Sequence, residues 1–282
     1  METFIEILKA ILIGIVQGIT EWLPVSSTGH MILVNEFVRL DVSDAFFELF
    51  EVVIQFGSIL AVLILFFDKL NPFSRKKTEA QRKSTWSLWG KVVVGVIPAA
   101  VIGIPFDDLI EEHLYNYVVV SIALIVYGVA FILVETQRNK KNIGYRVERV
   151  EDLTYKDAAI IGAYQVLSLI PGTSRSGSTI LGGMMSGVSR KASAEFTFFM
   201  AIPVMLGASF IKVLKFVVKG YTATAAEIGL LIIGTLVAFA VSLLAIKFLM
   251  DFVKRHTFIP FGIYRILLGI VVIGYFVIKT VI

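Results

Sequence analysis

Six apolar runs, Val52–Phe67, Val92–Phe106, Val118–Val134, Ala194–Val218, Ile228–Phe248 and Phe258–Ile282, divide the chain into long hydrophobic stretches separated by charged loops. A hydrocarbon core needs about 17–25 apolar residues per helix, so all six are expected to span a bilayer, the first two being short for the task. Shorter apolar pieces come as two pairs. Phe4–Trp22 runs into a proline and hydroxyl cluster and resumes at His30–Val38, and Ala158–Ile170 does the same before Thr179–Val188. Each piece is too short to span alone, which predicts two helix-loop-helix re-entrant pairs. Non-helical backbone at bilayer depth survives only where protein or a water-filled cavity satisfies its polar groups. Both interruptions are therefore expected to line a polar cavity near the midplane.

The two interruptions resemble each other. Gln17–His30 reads QGITEWLPVSSTGH and Gln165–Thr179 reads QVLSLIPGTSRSGST. Gln17 pairs with Gln165, Pro24 with Pro171, Ser27 with Ser174 and Gly29 with Gly177, and an offset of about 148 residues is the mark of an internal repeat. Glu48 and Glu195 pair at a similar offset. The expected fold is an all-α polytopic membrane protein, a single domain over residues 1–282 with repeats at about 1–135 and 157–282. Three spans in each half force the second half to enter from the opposite face, an inverted-topology repeat, and interrupted helices at matching places in such repeats point to a binding site.

Loop charge sets the orientation. Lys69–Lys91 carries Arg75, Lys76, Lys77, Arg82 and Lys83, and Arg138–Arg149 carries Lys140, Lys141 and Arg146, whereas Asp107–Tyr117 has four carboxylates and neither Lys nor Arg. The positive-inside rule places the basic loops in the cytoplasm, the acidic loop outside and, by alternation, both termini outside. Lys212, Lys215 and Lys219 then fall on the outer side, against the rule.

Composition narrows the class. With 57% hydrophobic and 17% charged residues, and a mean hydropathy of +0.84, the 282-residue chain is too apolar for an ordinary soluble globule. A net charge of +4 does not imply nucleic acid, because the basic residues flank spans and lack interleaved aromatics. Without cysteine there is neither a disulfide framework nor a thiolate metal site. The N-terminus has no basic stretch leading to a small-residue cleavage site and is not read as a removable signal peptide. No nucleotide-binding loop, HExxH helix or GxSxG elbow is present.

Against this background the polar residues stand out. Glu21 ends an apolar run one helical turn after Gln17, and an intramembrane ionisable group is functional by default. Together they offer a carboxylate and a neutral oxygen to a metal ion; an interfacial Glu is the plainer reading. His30 follows Ser26, Ser27 and Thr28, so it is either the partner of an activated hydroxyl, itself the nucleophile or acid, or a structural histidine. Arg175, among Ser174, Ser176 and Thr179, carries the sharpest signal. Hydroxyls, glycines and a following helix N-terminus around an arginine describe a phosphate or carboxylate cradle. A small-residue packing patch would explain the glycines and serines but not the arginine. Glu51, Gln55, Tyr264 and Arg265 are weaker candidates; Arg265 lies about 10 Å into its span by helical rise, and snorkelling explains it at least as well.

QGITEW, PVSSTGH and PGTSRSGST, supported by FEVVIQFGSILAV, GVSRKASAEFTF and IPFGIYR, resemble the undecaprenyl-diphosphate phosphatase family linked to bacitracin resistance. The resemblance covers nearly the whole chain. It implies a multi-pass enzyme of the bacterial plasma membrane that removes the terminal phosphate of a polyprenyl diphosphate lipid, recycling the carrier for cell-wall precursors. Glu21, Ser27, His30 and Arg175 are implied as catalytic, Gln17, Ser26, Thr28, Ser174, Ser176 and Thr179 as substrate-binding, and Glu21 with Gln17 as holding a divalent cation, Mg2+ or Ca2+. Gln17 stands where many members have Glu, which leaves one carboxylate fewer for the ion. Ser27 is favoured as nucleophile with His30 assisting, His30 or activated water being the alternatives. A flippase or transporter of lipid phosphates with a midplane anion site is the rival class, and a homo-oligomer is left open. A phosphatidic-acid-type phosphatase is disfavoured: SSTGH is similar to that superfamily's PSGH, but its flanking basic elements are missing.

Overall fold

Polar side chains cap the start of most long helices. Thr78, Thr154 and Thr224 form capping boxes with Gln81, Asp157 and Glu227, while Ser43, Asn116 and Ser189 cap through one side-chain bond. Each cap satisfies backbone donors that would otherwise be orphaned at a helix end. The computed structural model describes residues 2–141 and 143–281; Met1, Asn142 and Ile282, the last being the expected end of the final span, lie outside the described residues.

The elements in order are α1 (Glu2–Thr20), α2 (Ser27–Phe37), α3 (Asp44–Leu65), α4 (Phe67–Leu70), α5 (Glu79–Leu114), α6 (Tyr117–Lys140), α7 (Tyr155–Val166), α8 (Arg175–Met185), α9 (Arg190–Val218), α10 (Ala225–Arg255) and α11 (Ile259–Val281). The described residues contain no strand, only an isolated bridge between Val147 and Val188. The protein is an all-α polytopic membrane protein. Among the described residues seven helices, α1, α3, α5, α6, α9, α10 and α11, are long and apolar enough to cross a membrane. Six of these are the expected spans. The 19 residues of α1 reach about 28 Å, but the helix ends beside the middle of α10, where Ser242 donates to the Gly18 carbonyl, and the chain after α2 returns to its start, Asp41 N donating to Glu6, so α1 and α2 keep the form of a re-entrant pair. The partners α2, α7 and α8, of 11, 12 and 11 residues, are half-length as expected.

α1 and α3 pack on α10, α5 packs on α7 and α9, and α6 packs on α11. The last pair approaches to backbone contact. A Cβ built on Gly128 would lie 2.6 Å from the carbonyl oxygen of Gly262, and one on Gly262 would lie 2.7 Å from that of Gly128. Only glycine permits this approach. Phe196, Phe198 and Phe199 of α9 are fully buried in the main hydrophobic core. Outward-facing Val101, Ile104, Phe210, Val218, Leu236 and Leu244 remain exposed, a surface that suits lipid rather than water.

Ion pairs sort by end. Lys212 meets Glu48 at 2.7 Å, Lys215 meets Asp107 at 3.2 Å and Asp108 at 3.4 Å, and Lys279 meets Glu36 at one end. At the other, Lys69 meets Glu195 at 2.6 Å, Arg190 meets Glu135 at 2.5 Å, and Arg146 meets Asp157. Two of the three lysines that ran against the charge rule are thereby matched by carboxylates of the same end, so they add little net charge there.

Candidate functional site

Residues 21–26 and 170–174, the breaks before α2 and α8, meet inside the bundle. Each ends in a serine with left-handed backbone: Ser26 has φ 73° and Ser174 φ 71°. A non-glycine residue there costs on the order of 1–3 kcal/mol and persists only where its surroundings enforce it. Both serines repay this as N-caps, Ser26 Oγ accepting from Gly29 N at 3.3 Å and Ser174 Oγ from Gly177 N at 3.1 Å. The counterpart of Ser174 is therefore Ser26, not Ser27, and Arg175 stands opposite Ser27.

Glu21 and Arg175 join the two loops. Arg175 Nη2 donates to Glu21 Oε1 at 2.9 Å, and Nη1 donates to the carbonyl of Thr197 on α9 at 3.0 Å. The other carboxylate oxygen accepts from Gln17 Nε2 at 3.0 Å and from Ser27 Oγ at 3.2 Å. The guanidinium lies 5.7 Å from the ring centre of buried Trp22. Side-chain exposures of 11% and 9% leave the pair almost dry, where an ion pair is strong but each partner depends on the other.

The hydroxyls divide into two sets. Ser176 donates to the carbonyls of Glu21 and Leu23, both at 3.3 Å, and Thr179 bonds the Arg175 carbonyl and Thr197 Oγ1, each at 2.8 Å. Ser176, Thr179 and Ser26 are buried and hold the loops together. Ser27, Thr28 and Ser174 keep partial exposure.

His30 forms no hydrogen bond with Ser27. Its Nδ1 lies 2.7 Å from the Ser26 carbonyl, which can only accept, so Nδ1 carries a proton; Nε2 lies 2.7 Å from Tyr264 Oη and accepts from it when the ring is neutral. The rings stack at 5.6 Å. The expected Ser27–His30 couple is replaced by Ser27–Glu21, because the side chain of Glu21 turns back across the loop to α2.

Arg265 does not snorkel. It is fully buried, and its Nη1 and Nη2 donate to the carbonyls of Pro24 at 3.2 Å and of Gly172 and Thr173, both at 2.9 Å, binding both loops to α11. Glu51 instead accepts from Asn35 Nδ2 at 2.9 Å, and Gln55 donates to the Glu51 carbonyl at 3.4 Å; neither bonds this cluster. Thr197 and Trp22 carried no warning in the sequence, since a threonine or tryptophan in an apolar helix is ordinary.

No group of three His, Cys, Asp or Glu able to hold a metal occurs among the described residues. Among the described residues Glu21 is the one carboxylate bonded into the cluster, and its two oxygens already accept from Arg175, Gln17 and Ser27. A hard divalent ion can take a single carboxylate from protein and the rest of its oxygens from phosphate or water, and here it would have to displace the Gln17 or Ser27 bond.

Residues 10–271 match the family model described as Bacitracin resistance protein BacA. An undecaprenyl-diphosphatase of Enterococcus faecalis is 56% identical over 272 residues, covering 96% of this chain and 98% of its own. Proteins of the same name from Acetivibrio thermocellus, 56% identical over 272 residues, and Streptococcus gordonii, 54% over 278, are covered to 98% and match 96% and 98% of this chain.

Proposed function

Because the chain belongs to the Bacitracin resistance protein BacA family, we propose that it is a membrane phosphatase that hydrolyses undecaprenyl diphosphate to undecaprenyl phosphate and inorganic phosphate. The observation that carries the reading onto particular residues is the Glu21–Arg175 pair with Ser27 bonded to the same carboxylate. The substrate couples a long apolar chain to a diphosphate, and a polar cluster inside a lipid-exposed bundle suits both parts. In this setting the bacterial plasma membrane is the site of action.

Phosphoryl transfer needs positioning and neutralisation of oxygen charge more than covalent ingenuity. Ser27 Oγ attacks the terminal phosphorus while Glu21 accepts its proton, and the bond from that phosphorus to the bridging oxygen breaks, releasing undecaprenyl phosphate. Water then attacks the phosphoserine, giving phosphate and returning the proton to Ser27. Arg175, the partly exposed Thr28 and Ser174, and the N-termini of α2 and α8 orient the phosphate oxygens. His30, whose Nδ1 proton is fixed by the Ser26 carbonyl, can in its neutral form take a proton at Nε2 from the attacking water once Tyr264 turns aside. Ser26, Ser176 and Thr179 shape the loops. A divalent cation, Mg2+ or Ca2+, held by Glu21 with Gln17, would supply further neutralisation of the diphosphate. The loops enter from opposite faces of the bilayer, the inverted arrangement that loop charge supports.

Phosphate release from undecaprenyl diphosphate by purified protein, with and without EDTA, tests the reading. Divalent-dependent release that vanishes in Glu21→Ala and Arg175→Ala is expected. A well-folded parent that releases none, yet moves undecaprenyl phosphate across sealed vesicles, would make the protein a lipid-phosphate transporter instead.

A further inference from the structure

Arg265 reaches the meeting point of the two loops from α11, a helix that belongs to neither. Three loop carbonyls accept its Nη protons, while its Nε–H is buried without a partner. Carbonyls are dipoles and leave the charge uncancelled. Among the described residues no carboxylate forms an ion pair with Arg265, whereas Arg175 is matched by Glu21. Guanidinium stays protonated in proteins, so the crossing of the loops holds two cations against one anion. The dipoles of α2 and α8, each 11 residues long, point their positive ends at the same region. A buried net charge is expensive to maintain until an anion arrives. Arg265 also abuts the first turn of α8: a Cβ on Gly177 would stand 3.1 Å from its Nη1.

We propose that Arg265 is a positioning residue for phosphoryl transfer, its fork clamping the two loops in the register that joins Glu21 to Arg175 and its uncancelled charge drawing the diphosphate into the site. This rests on the hydrolase reading above. Lysine separates the two duties, because an ammonium keeps the charge but cannot span three carbonyls as a planar fork does.

The test is KM and kcat for undecaprenyl diphosphate in the full-length detergent-solubilised protein, for the parent, Arg265→Lys, Arg265→Gln and Gly177→Ala. Arg265→Lys should hold KM within about threefold while kcat falls about 100-fold, the size of effect that a displacement near 1 Å produces. Arg265→Gln should raise KM as well, by about tenfold or more. Gly177→Ala keeps the arginine but crowds Nη1 at 3.1 Å, together with the Ser174 Cβ at 3.2 Å, and should lower kcat with an unchanged melting temperature. A folded Arg265→Gln with parental KM and kcat would overturn the proposal. So would a Gly177→Ala of parental kcat combined with an Arg265→Lys that loses activity only in step with its melting temperature, the behaviour of a purely structural pin; these two variants decide the matter if Arg265→Gln does not fold. Should the parent release no phosphate, the hydrolase reading fails, and thermal stabilisation by undecaprenyl diphosphate decides for Arg265: kept in Arg265→Lys and lost in Arg265→Gln supports the charge, and kept in both overturns it.

Discussion

Glu21 and Arg175, 154 residues apart in the chain, form a 2.9 Å ion pair that ties the break before α2 to the break before α8. Neither break could place its charged residue in an apolar interior without the other. Removing one partner of a buried pair leaves the remaining charge uncompensated, at a cost of about 3–5 kcal/mol. Glu21→Ala and Arg175→Ala should each lower the melting temperature in detergent and abolish phosphate release. The double variant should be more stable than the sum of the single losses predicts, which a double-mutant cycle of thermal melts would measure.

Ser27 and His30 share a helix face but bond to different groups. Ser27→Ala should reduce turnover by about 10³-fold or more, as loss of an activated nucleophile does. Tyr264→Phe should leave Ser27 chemistry nearly intact, because it removes only the donor to His30 Nε2. Near-normal turnover in Ser27→Ala, with loss in His30→Ala, would hand the nucleophile's role to the histidine.

Gly128 and Gly262 meet at van der Waals limits, so a side chain at either forces α6 and α11 apart. Gly128→Val should destabilise by about 1–3 kcal/mol, the usual cost of overpacking, read as a drop in melting temperature. Arg265 sits on α11, so phosphate release should fall further than the loss of folded protein accounts for.

The absence of native cysteine makes orientation directly measurable. Single cysteines at Arg75 and Arg146 should react with an impermeant maleimide only from the cytoplasmic side, and one at Glu112 only from outside. Labelling of position 112 from the cytoplasm alone would reverse the assignment.

Much of this was legible in the chain itself. Long apolar runs between charged loops must become membrane helices, because unpaired backbone is intolerable in hydrocarbon. Glu21 and Arg175 stood out for the same reason: a charge in an apolar run must find a partner or a purpose. The local sequence could not say which partner. Ser27 turned to Glu21 rather than His30, and the loop alignment shifted by one residue, because both depend on the left-handed turns at Ser26 and Ser174. Arg265 read as a residue near a span end until the fold placed three carbonyls from two distant loops around it. Helix length and depth follow from nearest-neighbour chemistry, which sequence records; the polar contacts of Arg175 and Arg265, made across 92 to 241 positions, arise only when the helices pack, and so belong to the tertiary structure.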